Sequence, residues 1–213
     1  MVEPAAGRAD AGPGAEPGRP SRRRRWAILI AGGAFLAVLI VGASLAWTVV
    51  LPNVNGRGEH TRVPHALSVL DANESLDRRI ASKLEVQRDT GWIRTGGGHY
   101  THTSDAMWSA FTGRIQVNVS FHRHEATALK TGTDAAAEDM DKMRSGETPQ
   151  PIGGLGDEAF GIPVTSGYEI HVRDRNVTVH TSFSAPADSF EDLKANARPM
   201  AETALALLKQ ANR

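Results

Sequence analysis

The hydrophobic pattern changes period several times along the chain, and each change marks an element. In DAMWSAFTGRIQVNVSFHR, Ile115, Val117, Val119 and Phe121 alternate with Gln116, Asn118, Ser120 and His122. That period of two is the mark of a half-buried strand. Ala106, Trp108 and Ala110 form a matching apolar set just before it. A two-residue turn at Thr112-Gly113 pairs Trp108 with Val117 and Ala110 with Ile115, and keeps both sets on one face. A second hairpin is expected in SGYEIHVRDRNVTVHTSFS. Tyr168, Ile170 and Val172 make one apolar face, and Val177, Val179, Thr181 and Phe183 its partner. A loop of two or four residues centred on Asp174-Arg175 keeps those faces aligned, whereas a three-residue loop does not.

Helical spacing appears in three places. Asp71-x-x-Glu74 has the form of a capping box, and Leu76, Ile80 and Leu84 follow at steps of four, so a helix is predicted over residues 71–83. The stretch TGGGHYTHTSD after it reads as loop. In TDAAAEDMDKMRSG, Ala136, Met140 and Met143 predict a second helix, capped by Thr133 or Asp134. At the C-terminus Phe190, Leu193, Ala197, Met200, Ala204, Leu207 and Ala211 step by three and four. Asp188-x-x-Glu191 caps that helix, and Pro199 should kink or split it. With a short strand near residues 159–162, the order is α-β-β-α-(β)-β-β-α. The fold class expected is α+β: a single N-terminal transmembrane helix plus an antiparallel sheet packed on helices.

The transmembrane segment is WAILIAGGAFLAVLIVGASLAWTVVL, residues 26–51, which carries no charged side chain. About 20 apolar residues cross a bilayer core. Trp26 and Trp47 lie 21 positions apart, roughly 32 Å of helix, which places one indole at each interface. Arg22, Arg23, Arg24 and Arg25 stand directly before it. Clustered arginines favour the cytoplasmic side, so the N-terminus is expected inside and the C-terminal domain outside. The competing reading is a cleaved signal peptide, with small residues at Ser44 and Ala46. A secretory apolar region is only ~7–15 residues long, which favours an uncleaved anchor. Four regions follow: residues 1–25, a disordered basic cytoplasmic tail; 26–51, the membrane helix; 52–65, a linker; and 66–213, the extracytoplasmic α+β domain.

Charge sharpens this division. The 213 residues carry no net charge, yet residues 1–25 are net +3 and residues 52–213 net −3. A mildly acidic outer domain argues against nucleic-acid binding, which needs a cationic face. The chain has no cysteine, which excludes disulfides, thiolate metal sites, a cysteine nucleophile and a lipidated cysteine anchor.

Two motifs invite a chemical reading. IGGLGDEAFG contains Gly154-x-Gly156-x-x-Ala159, the outline of a dinucleotide loop. A working loop follows a buried strand and opens a helix. Here ETPQP precedes it, FGIP follows, and Asp157 and Glu158 would repel a pyrophosphate. The stretch therefore reads as a tight glycine turn into a short strand, and no cofactor is expected. Of the eight histidines, His122 and His124 share one strand face, and the hairpin register points His102 to the other. His171 and His180 become diagonal neighbours, with Glu169 opposite His180. If that hairpin lies beside the strand of His122, then His122, His171 and His180 are candidates for a weak metal or pH-sensing site. The plainer expectation is solvated histidines on a strand face. Trp92 and Trp108 read as core. No nucleophile elbow or HExxH motif is present, the adjacent acids Asp157 and Glu158 would point to opposite faces of an extended chain, and no catalytic residue is assigned.

GLGDEAF, YEIHVRDRNVTVHTSFSA and ARPMAETALALLKQ together resemble a class of actinobacterial envelope proteins. These carry a lipoprotein or single-span anchor and an α+β outer domain of unassigned function, lipoprotein-like or sensor-like. The resemblance covers roughly residues 107–210. It implies a location at the cell envelope and supplies no catalytic residue. Its lipobox cysteine and disulfide are missing here. The function expected is therefore that of a single-span membrane protein, not an enzyme. Its outer domain is expected to bind an envelope protein or a small apolar ligand. A small envelope enzyme and a purely structural assembly subunit are the alternatives.

Overall fold

The structure is a computed structural model that describes residues 22–73, 84–91, 102–111, 114–145, 148–185 and 190–213, without the side chains of 22–32 and 190–192. Residues 74–83 of the helix expected over 71–83, Trp92, His99, the Thr112-Gly113 turn residues and the Asp188 cap lie outside these. Contacts divide the chain into two compact units, Met1–Ser44 and Leu45–Arg213.

Helix α1, Arg22–Leu45, runs on through a π-helical turn, Ala46–Val50, into α2, Leu51–Asn55. The four arginines thus open the helix instead of ending a disordered tail. One stretch, Gly33–Asn55, is long and apolar enough to cross a membrane, with a mean hydropathy of 2.4 and none of its most apolar window buried. The large apolar side chains from Phe35 to Val54 all point outward.

Among the described residues, seven strands form one open antiparallel sheet in the order β1-β2-β3-β7-β6-β5-β4. They are β1 Glu85–Asp89, β2 His102–Ala110, β3 Ile115–Arg123, β4 Gln150–Pro151, β5 Glu158–Val164, β6 Gly167–Asp174 and β7 Val177–Ser184. The first hairpin has the expected register, with Trp108 opposite Val117 and Ala110 opposite Ile115. Strand β2 already begins at His102, so the end of the expected loop is strand. Strand β1 was not foreseen. It is exposed along its whole length and its one apolar residue is Val86, so it carries no alternation to read. It exists because the edge of β2 offers unpaired backbone groups.

The second hairpin departs from expectation by one step. Its two-residue turn is Arg175-Asn176, not Asp174-Arg175, so Asp174 pairs with Val177 and His171 with His180. Contacts from far along the chain select this turn. Arg175, at φ 55, donates its backbone N–H to Asp157 Oδ2 at 2.6 Å. Buried Asn176 donates from Nδ2 to the carbonyls of His60 at 3.1 Å and His124 at 2.8 Å. Its Oδ1 accepts the His60 N–H at 2.7 Å.

Two helices cover opposite faces. The C-terminal helix, Phe190–Ala211, here α5, packs on β6 and β7. Its Leu193, Ala197, Met200 and Leu208 meet Tyr168, Ile170, Val179, Phe183, Phe121 and Val119 in the main core. Each fully buried Leu, Met, Ile, Val or Phe among them contributes about 1.5–3 kcal/mol. The buried stripe shifts from the expected Leu207 and Ala211 onto Ala201, Leu205 and Leu208, because a three-four step drifts ~20° per heptad around a straight helix. Pro199 does not split α5. The carbonyl it frees belongs to exposed Ala195, where water can satisfy it.

Helix α3, Leu67–Ala72, stands where the helix over 71–83 was expected to begin. Asp71 is in its last turn, not at its cap, and Asn73 turns extended. Helix α4, Gly132–Arg144, packs on the other sheet face, on β6 and β7. Its cap is Thr131, ahead of both expected candidates, Thr133 and Asp134; the Thr131 hydroxyl accepts the Asp134 N–H at 3.0 Å. Met140 joins Phe160 and Ile162 in a small second core. The expected linker 52–65 is built into its unit rather than free. His60 and Val63 are buried, and the N–H groups of Thr61 and Arg62 donate to Asn212 Oδ1 at 2.9 and 3.0 Å.

Candidate functional site

Strand alternation sends the apolar residues of β2, β3, β6 and β7 to the sheet face on which α5 packs and most of their polar residues to the opposite face. Antiparallel register then lines those polar residues into rows. One row runs Asp105, Ser120, His180, His171, Phe160. The next runs Thr103, His122, Thr178, Arg173, Glu158. Helix α4 covers part of this face, and its Asp139, itself buried, accepts from Thr178 Oγ1 at 3.3 Å.

At the centre are His171, His180 and Glu169. The two imidazoles are directly opposed and stack with centroids 4.7 Å apart at 28°. His171 also stacks on Phe160 at 5.1 Å. Both Nε2 atoms face Glu169 Oε2, at 3.5 Å from His171 and 3.4 Å from His180. These separations exceed a good N–H···O bond of 2.7–3.2 Å. The His180 Nε2 and His171 Nδ1 atoms are buried without a hydrogen-bond partner. The His171 and His180 rings hold the Glu169 carboxyl well below the usual carboxylate range. Burial pushes the His171 imidazole down, against the pull of Glu169. The trio thus combines an ionised carboxylate with a histidine held toward its neutral form.

His122 does not join them. It lies one row away with Nε2 3.5 Å from Asp105 Oδ1, and this contact lowers the Asp105 carboxyl. Of the three candidate histidines, the sheet brings two together and substitutes Glu169 for the third. Nor are all the histidines solvated: His171 is 7% exposed and His124 fully buried, the latter 3.6 Å from Asp139 Oδ2. His102 projects to the opposite face, as its register required, and lies 3.2 Å from Glu125. His60 lies 3.2 Å from Asp174, whose carboxyl it lowers. His65 stands 3.5 Å from Asp89. Every described histidine therefore faces a carboxylate, a feature invisible without the strand order. Sequence reasoning put Glu169 next to His180 but did not count it among the candidate ligands, and it missed Asp105 and Asp139. The one available signal was the i, i+2 spacing of Glu169 and His171 on a single strand face.

The glycine stretch is a turn between β4 and β5. Gly154 and Gly156 have φ of 83 and 56. Ile152 and Leu155 are buried beneath it, and its ends are tied by Ile152 N–H to Ala159 O at 2.9 Å and Asp157 N–H to Arg173 O at 2.8 Å. Asp157 and Glu158 are taken up by Arg173, Arg175 and Arg144. Trp108 is core, as expected.

Open clefts gather around His60. One, of about 400 Å³, is lined by His60, Asp157, Asp174, Arg175, Lys209 and Asn212 among others. Another, of about 210 Å³, includes Glu59, Arg123, Glu125 and Asn176. The first is walled mostly by polar and charged groups, and the second about equally by polar and apolar surface. Compared with known proteins, the chain matches no family model and no curated sequence.

Proposed function

We propose that the protein is a single-pass membrane protein, N-terminus in the cytoplasm, whose outer α+β domain binds a polar ligand or a protein partner at the cell envelope without catalysis. The observation that carries the reading is the stretch Gly33–Asn55, whose side chains Phe35, Leu36, Val38, Leu39, Ile40 and Val41 are each more than half exposed. Such surface is costly in water and favourable in lipid. The arginines at the start of α1 supply the orientation. Trp26 and Trp47 act as the two interface anchors, and Trp47 is outward-facing. A polar ligand or partner fits the domain better than the small apolar ligand first expected. The space between the sheet and α5 is filled by core side chains, while the clefts around His60 offer charged and hydrogen-bonding groups.

The test is fractionation of cells producing the full chain with a C-terminal tag. The protein should stay in the membrane after alkaline extraction, and in intact cells stripped of wall the tag should be open to added protease. Recovery in the soluble cytoplasmic fraction, or a tag protected until lysis, would overturn it.

A further inference from the structure

We propose that Glu169, His171 and His180 form a binding site for one divalent transition-metal ion of the zinc class. Each offers one ligand atom, and the three atoms lie within 4.8 Å of one another. Zinc bonds to imidazole and carboxylate are ~2.0–2.2 Å, and at tetrahedral angles they set ligand atoms about 3.3–3.5 Å apart. The two nitrogen–oxygen separations, 3.5 and 3.4 Å, are those of such an edge. They are long for hydrogen bonds and right for a shared ion.

The protein has already restricted the ligands' freedom. Glu169 and His171 project from one strand, β6, at alternate positions, and His180 projects from β7 directly across. Both strands lie inside the sheet, where backbone pairing on each side holds them. His171 is clamped between the Phe160 and His180 rings. The buried His180 Nε2, which makes no hydrogen bond, would gain its missing partner from an ion. Two imidazoles and one carboxylate suit zinc and its neighbours in the first transition row. They do not suit calcium or magnesium, which take oxygen ligands. Three protein ligands leave a fourth position open to water or to a donor from a bound molecule. The site is independent of the membrane reading, so either can fail alone.

The test uses the full chain in detergent, stripped with a chelator and titrated with Zn2+ by calorimetry and with Co2+ by visible absorption. One equivalent of each should bind, with Co2+ giving the spectrum of nitrogen and oxygen ligation. Glu169→Gln and His180→Ala should each weaken Zn2+ binding by at least about 10–100-fold, and His122→Ala should leave it unchanged. A measurement without any substitution guards against variants that fail to fold. In the unmutated protein, Zn2+ should shift the ring resonances of His171 and His180 and leave those of His122 and His60 in place. No uptake of either ion would overturn the proposal. So would uptake that survives both ligand substitutions, or resonance shifts confined to other histidines.

Discussion

His171 stands directly across from His180 in the β6–β7 pair, the rings stacked 4.7 Å apart. A turn one residue earlier would have made them diagonal and set Glu169 opposite His180 instead. The Arg175-Asn176 turn therefore decides which groups meet, and Asn176 anchors that turn to strands and segments far away in sequence.

Asn176→Ala tests that anchor. The substitution strands the carbonyls of His60 and His124 and the His60 N–H in a buried site. Leaving a buried polar group unpaired costs about 1–3 kcal/mol, so unfolding by denaturant should show a loss of at least ~2 kcal/mol. A loss near zero would mean that the turn is held by Arg175 alone.

Stability should fall on acidification in an order set by two groups. Burial lowers the His171 pKa, so the unfolded chain takes up the proton more readily than the folded one. This contribution is fully present above the ordinary value of 6.5 and fades as pH drops below it. The Glu169 carboxyl is also lowered, by its two histidine neighbours, so its contribution persists to the ordinary value of 4.5 and is lost beneath it. Melting temperature against pH should begin to decline below 6.5 and steepen below 4.5. His171→Gln should abolish the first decline and also shrink the second, because the His171 ring is the leading cause of the lowered Glu169 carboxyl.

Gly156→Ala should destabilise through two independent effects. At φ 56 an L side chain is strained, by roughly 1–2 kcal/mol, and the added Cβ would run into the Arg173 carbonyl. Gly154, also at positive φ, has nothing within 4 Å of such a Cβ, so Gly154→Ala should cost only the strain. Thermal unfolding of the pair separates crowding from backbone conformation. Equal losses would rule crowding out.

Leu39→Arg places a charge within the exposed apolar stretch. An arginine at the centre of a spanning helix costs about 2.5–3.5 kcal/mol of insertion free energy. The membrane-bound fraction in a pulse-labelled insertion assay should fall, while the melting of the domain stays unchanged. Unaltered insertion would weaken the membrane reading.

Several elements were legible in the residues themselves. Alternation from Ile115 to Phe121 and from Tyr168 to Val172 identified both hairpins and the sides they bury, and a two-residue turn was enough to place Trp108 against Val117. The glycine stretch was recognisable as a turn because its flanks forbid a phosphate loop. The exposed strand β1 was not legible, since EVQRD has no apolar alternation. Nor was the Thr131 cap, since Thr131, Thr133 and Asp134 are all capping residue types within four positions.

By itself the sequence determined the apolar helix, the α+β class and the apolar face of each hairpin. These depend on side-chain period within a few residues of chain, and period is a local property. Only the tertiary structure decided that β3 lies beside β7, that the second turn falls at Arg175-Asn176, and that Glu169 rather than His122 meets His171 and His180. Those outcomes rest on contacts such as Asn176 with His60, 116 residues apart. No local pattern encodes which distant backbone groups will be left needing a partner.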